Sequence, residues 1–239
     1  MVSLPPIGIL IVTYDRPKEI RAVIRALVEN IIYPPEKINW HLSDDNSPKE
    51  YIPNIQKDFP DLHFTATVTD RRGWGANVNK GMAYVQTHLK CDYTFLCEDD
   101  YVAMGPVNIR DGVLLMEANK GIGLVRYDGI SAHTLNLYLR EIRVGDGRMM
   151  DYMILDRSSP HLNVYSNRPH LKHRRLHSRY GAYREGSTLG HTEEDFAHAV
   201  RDKGVEGPLI AVLHDGIARA FDHIGHSRQG TELDSNFKR

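Results

Sequence analysis

The chain has 239 residues, 41% of them hydrophobic and 26% charged, a size and composition that suit one globular domain of the larger sort. Lys and Arg number 30 against 31 Asp and Glu, so the formal net charge is -1 and no global positive field points to a polyanionic partner. No CxxC pattern occurs, which argues against a thiol redox site or a zinc knuckle. Neither a signal-peptide pattern nor an apolar run of membrane-spanning length opens the sequence, and we expect a soluble, cytoplasmic protein.

Strand-like and helix-like segments alternate through residue 126. A β-branched run at Ile7–Thr13 predicts the first strand, and Pro17 then suits the first turn of a helix whose apolar residues recur every three or four positions up to Ile31. Such alternation implies a largely parallel sheet with helices on both faces. The later segments are predicted as strands at 38–43, 63–68 and 93–97, a helix around 78–89, a helix at 106–120 and a strand at 121–126.

The pattern changes in the second half of the chain. Two strand-like runs, 135–143 and 149–155, flank Gly145-Asp146-Gly147, and glycines in such a short connection are typical of a β-hairpin. A helix at 192–203 and a strand at 208–213 complete the predicted elements. Neither a repeat nor a linker-like segment divides the chain, so we expect a single domain.

Three consecutive acids stand at the end of a predicted buried strand. The apolar run 93–97 leads directly into Glu98-Asp99-Asp100. Packed carboxylates repel one another, and a divalent cation held by their oxygens is the simplest neutralising partner. In open α/β sheets, ligands also collect just beyond the carboxyl ends of the strands. The alternative for the same residues is a solvated acidic loop without a ligand.

Polar residues follow two other predicted strands as well. Thr13-Tyr14-Asp15 ends the first strand and Asp44-Asp45 ends the second, and in a doubly wound sheet these tips meet the acidic triplet at one edge. A nucleotide would find there a carboxylate for its base or ribose, backbone amides for its phosphates and a metal for its diphosphate. Because Asn46 and Ser47 follow, the second tip also fits an Asx-turn with no ligand role.

Four motifs stand in order along the first half of the chain, at residues 11–17, 43–47, 72–81 and 96–100. Each is weak alone, but in this order and spacing they resemble the family-2-like nucleotide-sugar glycosyltransferases of the GT-A fold. The resemblance implies an α/β, Rossmann-like fold with a mostly parallel central sheet flanked by helices, a smaller antiparallel hairpin and an acceptor-side C-terminal region. It also implies an enzyme that moves a sugar from a nucleoside-diphosphate sugar, with UDP the favoured nucleotide, to an acceptor hydroxyl.

The resemblance assigns donor-binding residues position by position. Thr13 and Tyr14 would border the nucleotide base, and Asp45, or Asp44 in its place, would accept a hydrogen bond from it. In this scheme the nucleotide sugar binds to the first half of the chain, residues 1–127. The ribose and diphosphate side would be formed by Arg72, Gly75 and Asn79.

The acidic triplet matches the DXD-type metal motif of the same family. The resemblance makes Asp100 a direct ligand and Asp99 a ligand directly or through water, although Cys97 stands where many members have an acid. A late histidine often adds a ligand in GT-A enzymes, and His223 is the first choice here, with His226 the second. Carboxylate and imidazole ligands together favour Mn²⁺ over Mg²⁺ as the cofactor.

The segment 191–196 resembles the acidic signature that supplies the general base of inverting members. Asp195 would deprotonate the acceptor hydroxyl, with Glu194 as the substitute, and the half of the chain at 128–239 would bind the acceptor. The structural alternative is a capping box, because Thr192 stands three residues before Asp195 at the predicted helix start.

A strongly basic stretch at 168–184 falls where GT-A enzymes commonly face the acceptor. One interpretation is an anionic acceptor, and the classes left open are a polysaccharide, a lipid-linked carrier and DNA with hydroxylated bases. The others are a loop that closes over the donor diphosphate and a solvated basic surface. Two rival functions also stay open: a nucleotidyltransferase that makes a nucleotide sugar, and a non-catalytic nucleic-acid-binding module. The sequence does not predict an oligomeric state.

Overall fold

The computed structural model of the chain describes residues 3–127, 137–155, 165–202, 209–213 and 220–225. Its strands are β1 (Ile7–Thr13), β2 (Ile38–Asp44), β3 (Thr65–Val68), β4 (Tyr93–Glu98), β5 (Tyr101–Ala103), β6 (Ile122–Arg126), β7 (Leu137–Arg143), β8 (Met149–Leu155), β9 (His170–His173), β10 (Leu209–Leu213) and β11 (Phe221–His223). In the described ranges they form one sheet in the order β3-β2-β1-β4-β9-β6-β10-β8-β7, and a small second sheet of β5 and β11.

Helices cover both faces of the large sheet, because the central strands are apolar on both sides. The helices are α1 (Glu19–Asn30), α2 (Tyr51–Asp58), α3 (Trp74–Thr87), α4 (Ile109–Ala118), α5 (Arg175–Tyr180) and α6 (Leu189–Asp202). Ile7, Ile9 and Ile11 of β1 belong to a buried cluster with α1, α2 and α4. The alternate residues Leu10 and Val12 belong to a second cluster with α3, α5 and α6.

The predicted parallel core of the sheet is confirmed. β1 pairs in parallel with both β2 and β4, β2 with β3, and β6 with β10. The predicted hairpin is present as β7 and β8, but it extends the same sheet through β10 rather than forming a separate one. Both halves of the chain contribute strands to this sheet; the assignment of a single domain stays a prediction. Because β1, β2 and β4 run in register, Thr13, Asp44 and Glu98 end at one edge.

Three segments depart from the predicted elements. β9 lies within the basic stretch and runs antiparallel between β4 and β6, where the sequence pattern predicted no strand. The helix α2 has no counterpart in the sequence prediction. The helix α6 begins at Leu189, ahead of the predicted start at Thr192, because Thr188 accepts a hydrogen bond from the backbone N–H of His191 at 3.3 Å and so caps an earlier turn. No helix in the described ranges is long and apolar enough to cross a bilayer.

Candidate active site

Asp99 joins the carboxyl ends of β1 and β4. Its Oδ2 accepts hydrogen bonds from the Thr13 hydroxyl at 2.8 Å and from the backbone N–H of Tyr14 at 3.1 Å. The backbone N–H of Asp99 in turn donates to the carbonyl of Val12 at 3.1 Å. The Thr13 hydroxyl also contacts the phenol of Tyr51, from α2, at 2.5 Å. The structure therefore brings together three of the predicted site residues, and one oxygen of Asp99 is already used to hold the strand tips.

Asp100 has one carboxylate oxygen that is left over from the internal contacts. Its Oδ2 lies 3.1 Å from Nε2 of His223 and also contacts the guanidinium of Arg16. Its Oδ1 is buried and has no hydrogen-bond partner within the described part of the chain. Buried polar atoms are nearly always paired, so an orphaned carboxylate oxygen at a sheet edge fits a ligand of a cation.

The small second sheet places His223 against Asp100. β11 pairs antiparallel with β5, which directly follows the acids, and His223 lies opposite Tyr101. The rings of these two residues are 4.9 Å apart. The backbone N–H of Ile224 then donates to the carbonyl of Asp100 at 2.9 Å. A segment more than a hundred residues downstream is thereby packed onto the end of β4, and the role of His223 as a metal ligand stays a prediction.

Asp100 and His223 suit part of a metal site rather than a complete one. No group of three or more His, Cys, Asp and Glu residues in the described ranges has the arrangement of a metal centre. Mg²⁺ and ions like it are commonly held by one or two carboxylates, with substrate phosphates and water completing the coordination. The residues present fit a cation that binds together with a diphosphate. The second predicted histidine, His226, lies outside the described residues.

Arg16 places a positive charge next to the acids at the end of β4, where the sequence prediction expected only a metal cation. Its Nη1 contacts Asp100 and lies 3.5 Å from Oδ1 of Asp99. Burial nevertheless raises the pKa of Asp99 to about 6, against the opposing charge of Arg16. Burial, reinforced by the charges of Asp99 and Glu193, raises the pKa of Glu98 to about 8. The single positive charge of Arg16 therefore does not offset the effect of burial on these carboxyls. A divalent cation would favour their ionised forms.

The two acids at the end of β2 have different structural partners. Asp44 accepts hydrogen bonds from the backbone N–H of Ser47, at 2.9 Å, and from the Ser47 hydroxyl, so the predicted Asx-turn is present. Asp45 accepts hydrogen bonds from the backbone N–H groups of Arg72 and Gly73, both at 3.0 Å. Asp45 therefore holds the loop that leads into α3. Its contact with a nucleotide base stays a prediction.

The residues predicted to line the diphosphate instead contact the segment 183–185. The side-chain amide of Asn79 donates to the carbonyl of Tyr183 at 2.9 Å and to Oε1 of Glu185 at 3.1 Å. Its oxygen accepts from the backbone N–H of Tyr183 at 3.0 Å. Arg72 forms an ion pair with Glu185 at 2.8 Å. These contacts fix segment 183–185 on the start of α3, and a phosphate-binding role for Asn79 and Arg72 stays a prediction.

Gly75 is needed for this close packing, and a substitution tests it. A Cβ at Gly75 would lie 2.0 Å from the carbonyl oxygen of Arg184, a backbone atom that cannot rotate away. We expect Gly75→Ala to lower the free energy of unfolding by roughly 1–3 kcal/mol, measured by urea denaturation. The matched control is Gly190→Ala in α6, where a Cβ meets nothing within 4 Å and should stabilise the helix by roughly 0.5–1 kcal/mol. Unchanged stability of Gly75→Ala would show that segment 183–185 does not pack on α3.

The predicted base lies on the outer side of α6. Asp195 is exposed and forms an ion pair with Arg184 at 2.9 Å, and Glu194 is exposed as well. The capping box does not form, because the hydroxyl of Thr192 donates to the carbonyl of Thr188 at 3.0 Å within the earlier turn. A role of Asp195 or Glu194 as the base stays a prediction, and for Asp195 it requires that the Arg184 pair opens.

Two of the six Lys and Arg residues of the basic stretch make their contacts inside the protein. Lys172 of β9 is fully buried, and its ammonium donates to the phenol of Tyr183 at 3.1 Å. Arg175 donates to the backbone carbonyls of Ile122 and Met116, each at 3.0 Å. These side chains are therefore unavailable to an anionic surface ligand. The sequence missed them because charged residues are rarely fully buried.

Four residues that build the site had no role in the sequence prediction. They are Arg16, Tyr51, Glu193 and Gly225. Arg16 and Glu193 stand inside motifs that the resemblance used, so their charge within those motifs was an available signal. Tyr51 belongs to the unpredicted α2, and no pattern in the sequence indicated it. Gly225 stands in the His-x-Gly-x-Ser pattern around His223, but its close approach to Asp100 arises only through the packing of β11 on β5.

Solved structures of glycosyltransferases share this fold. The chain aligns with Staphylococcus aureus TarS residues 1–349 at a TM-score of 0.66 and 10% identity, covering 90% of this chain and 59% of that one. TarS 1–349 in complex with UDP-GlcNAc aligns at 0.65 and 13% identity, covering 96% and 61%. The mannosyltransferase PcManGT of Pyrobaculum calidifontis, in complex with GDP-Man and Mn²⁺, aligns at 0.57 and 15% identity, covering 87% and 56%.

These likenesses confirm the predicted GT-A fold, while the chain spans only about three fifths of the length of the solved chains it matches. No protein of curated function matches it in sequence. The family model described as Glycosyl transferase family 2 matches residues 8–181, which include β1, the acidic end of β4 and the buried strand β9. The chain therefore belongs to glycosyl transferase family 2.

Proposed function

We propose that this protein is a metal-dependent glycosyltransferase that moves a sugar from a nucleoside-diphosphate sugar to an acceptor hydroxyl, with inversion at the anomeric carbon. The observation that carries the proposal is the orphaned, buried Oδ1 of Asp100 beside His223. It lies at the strand ends where Thr13 and Asp99 also meet. Such an edge is where open α/β sheets bind nucleotides.

The proposed donor is a UDP-sugar, and the proposed cation is Mn²⁺. Two solved relatives of the fold were obtained with nucleotide sugars, one with UDP-GlcNAc and one with GDP-Man and Mn²⁺. In the proposal, Thr13, Tyr14 and Asp45 border the base, and Asp100 and His223 hold the cation, with Asp99 direct or through water. A bound cation acts as a Lewis acid that neutralises charge on the diphosphate leaving group.

The protein's own groups position the reactants and move one proton. Asp99 holds the tip of β1 against that of β4 through Thr13 and Tyr14, which keeps the nucleotide side of the site rigid. One of the three carboxylates at 193–195, on α6, accepts the proton of the attacking hydroxyl as the new glycosidic bond forms. The family resemblance names Asp195, with Glu194 as the substitute. A carboxylate of ordinary basicity suffices, since the hydroxyl becomes acidic only as it attacks.

The proposed acceptor carries a hydroxyl group and belongs to one of three classes: a polysaccharide, a lipid-linked carrier, or DNA with hydroxylated bases. The burial of Lys172 and the internal hydrogen bonds of Arg175 weaken the case for a nucleic-acid-binding module built on the basic stretch. A nucleotidyltransferase would release pyrophosphate from a nucleoside triphosphate, which a direct assay detects. A cytoplasmic location stays a prediction.

A thermal-shift panel tests the proposed function. The protein is mixed with UDP, GDP, UDP-GlcNAc, UDP-glucose and GDP-mannose, each with and without Mn²⁺ or Mg²⁺. We expect a uridine compound with Mn²⁺ to raise Tm most, since ligand that binds only the folded state at 100 times its Kd stabilises by about 2.7 kcal/mol. Equal shifts without metal would remove the cation from donor binding. Absence of any nucleotide-dependent shift would refute the proposal.

A further inference from the structure

The orientation of α6 about its own axis determines which of the three acids at 193–195 faces the protein interior. Phe196, Ala197 and Val200 are buried against the second core cluster. Glu193 stands three, four and seven positions before them, so it shares their face of the helix. It is partly buried, whereas Glu194 and Asp195 are exposed.

The carboxylate of Glu193 is held by the chain that enters β9. Its Oε1 accepts a hydrogen bond from the backbone N–H of Asn167 at 2.8 Å. Among the described residues no donor is assigned to its other oxygen. β9 runs antiparallel to β4 with His170 opposite Leu96, so the residues just before β9, Asn167 among them, lie beside the end of β4 at Glu98. One acid of the triplet is therefore oriented by a backbone donor and lies near the acidic end of the sheet.

Unpaired polar atoms around this carboxylate call for a hydroxyl-bearing ligand. Asn167 is 4% exposed, and neither atom of its side-chain amide has a partner in the described ranges. His170 is fully buried with Nε2 unpaired, and it lies opposite Leu96, so it shares the sheet face of Glu98. Buried polar atoms without partners are rare, and sugar hydroxyls would satisfy both donors and acceptors here.

We infer that Glu193, rather than Asp195 or Glu194, is the carboxylate that accepts the proton of the acceptor hydroxyl; this rests on the proposed function. The acceptor oxygen forms its bond to the anomeric carbon while its proton passes to Glu193. The bond from that carbon to the diphosphate oxygen breaks, and its electron pair leaves with the nucleoside diphosphate. Glu193 then returns the proton to solvent. The hydrogen bond from Asn167 holds one oxygen of the carboxylate, which leaves the other to meet the hydroxyl.

The alternative acids are poorly placed for this step. Asp195 points to solvent and is tied to Arg184 at 2.9 Å, with both side chains well exposed. Glu194 lies one residue, or about 100° of helix rotation, away from the inward face of Glu193. Either acid would have to cross the helix surface to meet a hydroxyl near the end of β4.

Isosteric amides at each position test the inference. Glu193→Gln, Glu194→Gln and Asp195→Asn are compared, with Asp202→Asn on the exposed end of the same helix as the control. The rate is the release of UDP from UDP-GlcNAc or UDP-glucose with Mn²⁺ and water as acceptor, and donor binding is measured by thermal shift. We expect Glu193→Gln to lower kcat by roughly 10²-fold or more, the usual contribution of a general base.

The expected pattern separates a base from a structural residue. Donor-induced shifts in Tm should be unchanged in Glu193→Gln, and Glu193→Asp should recover part of the rate. A largest loss in Asp195→Asn or Glu194→Gln overturns the inference while leaving the proposed function intact. Loss of the donor shift in both Glu193→Gln and Glu193→Asp overturns it as well, since the role would be structural. No UDP release and no donor shift in the wild type refutes the proposed function and the inference together.

Discussion

The Asp100→Ala variant is expected to lose Mn²⁺-dependent turnover while keeping its fold. The change removes the buried Oδ1 that has no partner and the Oδ2 that lies 3.1 Å from His223. A bound cation supplies several kcal/mol of charge stabilisation, so its loss should lower kcat by roughly 10²- to 10³-fold. The measurements are the rate of UDP release over a Mn²⁺ titration and the shift in Tm produced by UDP with Mn²⁺.

The matched control is Asp92→Ala, just before the opposite end of β4. Asp92 is exposed and pairs with Arg174 at 3.1 Å, an interaction of the surface type that contributes about 0–1 kcal/mol. We expect its turnover and its Mn²⁺ dependence to match the wild type. Normal Mn²⁺-dependent activity in Asp100→Ala would show that Asp100 does not bind the metal. A Tm lower than that of the wild type in the absence of ligand would instead indicate a structural role for Asp100.

The part of the fold that is buried on both faces was predictable from the sequence. The predicted strand Ile7–Thr13 has the same bounds as β1, because a short apolar run rich in β-branched residues is typical of a buried strand. The strand at the acidic triplet was found for the same reason. Local sequence patterns do not predict the burial of a residue when its packing partners lie far away in the chain. No strand was predicted at β9 because the stretch is strongly basic, yet Lys172 is covered by Tyr183 and by neighbouring strands on both sides.

The site was predictable as a set of strand ends but not in its contacts. Thr13, Asp99 and Asp100 meet because parallel strands in register end together, a consequence of topology alone. The start of α6 was not predicted, since it depends on a cap at Thr188, upstream of the acidic signature. The contact of Arg16 with Asp100 was not predictable either, because the direction of the Arg16 side chain is set by the turn that follows β1. Resemblance located the motifs, and packing decided which side chains face one another.

Gly225→Ala is expected to weaken Mn²⁺ binding far more than it weakens the fold. A Cβ at Gly225 would lie 2.2 Å from Oδ2 of Asp100 and 2.7 Å from Nη1 of Arg16. Either Asp100 or the segment carrying His223 must shift, and the two predicted ligands would then separate. Metal ligands tolerate errors of only about 0.2 Å, so we expect a loss of Mn²⁺ affinity of at least about tenfold, measured calorimetrically with UDP present.

Gly105→Ala is the control for that variant. Gly105 follows β5, the partner strand of β11, and a Cβ there meets nothing within 4 Å. Its Mn²⁺ affinity should equal that of the wild type, so a difference between the two alanine variants reports the contact with Asp100 rather than a general effect on the small sheet. If Gly225→Ala binds Mn²⁺ as tightly as Gly105→Ala, then His223 and Asp100 do not share a cation. The cation would then be held by Asp100 with ligands from the donor and solvent, and β11 would serve only to cover the end of β4.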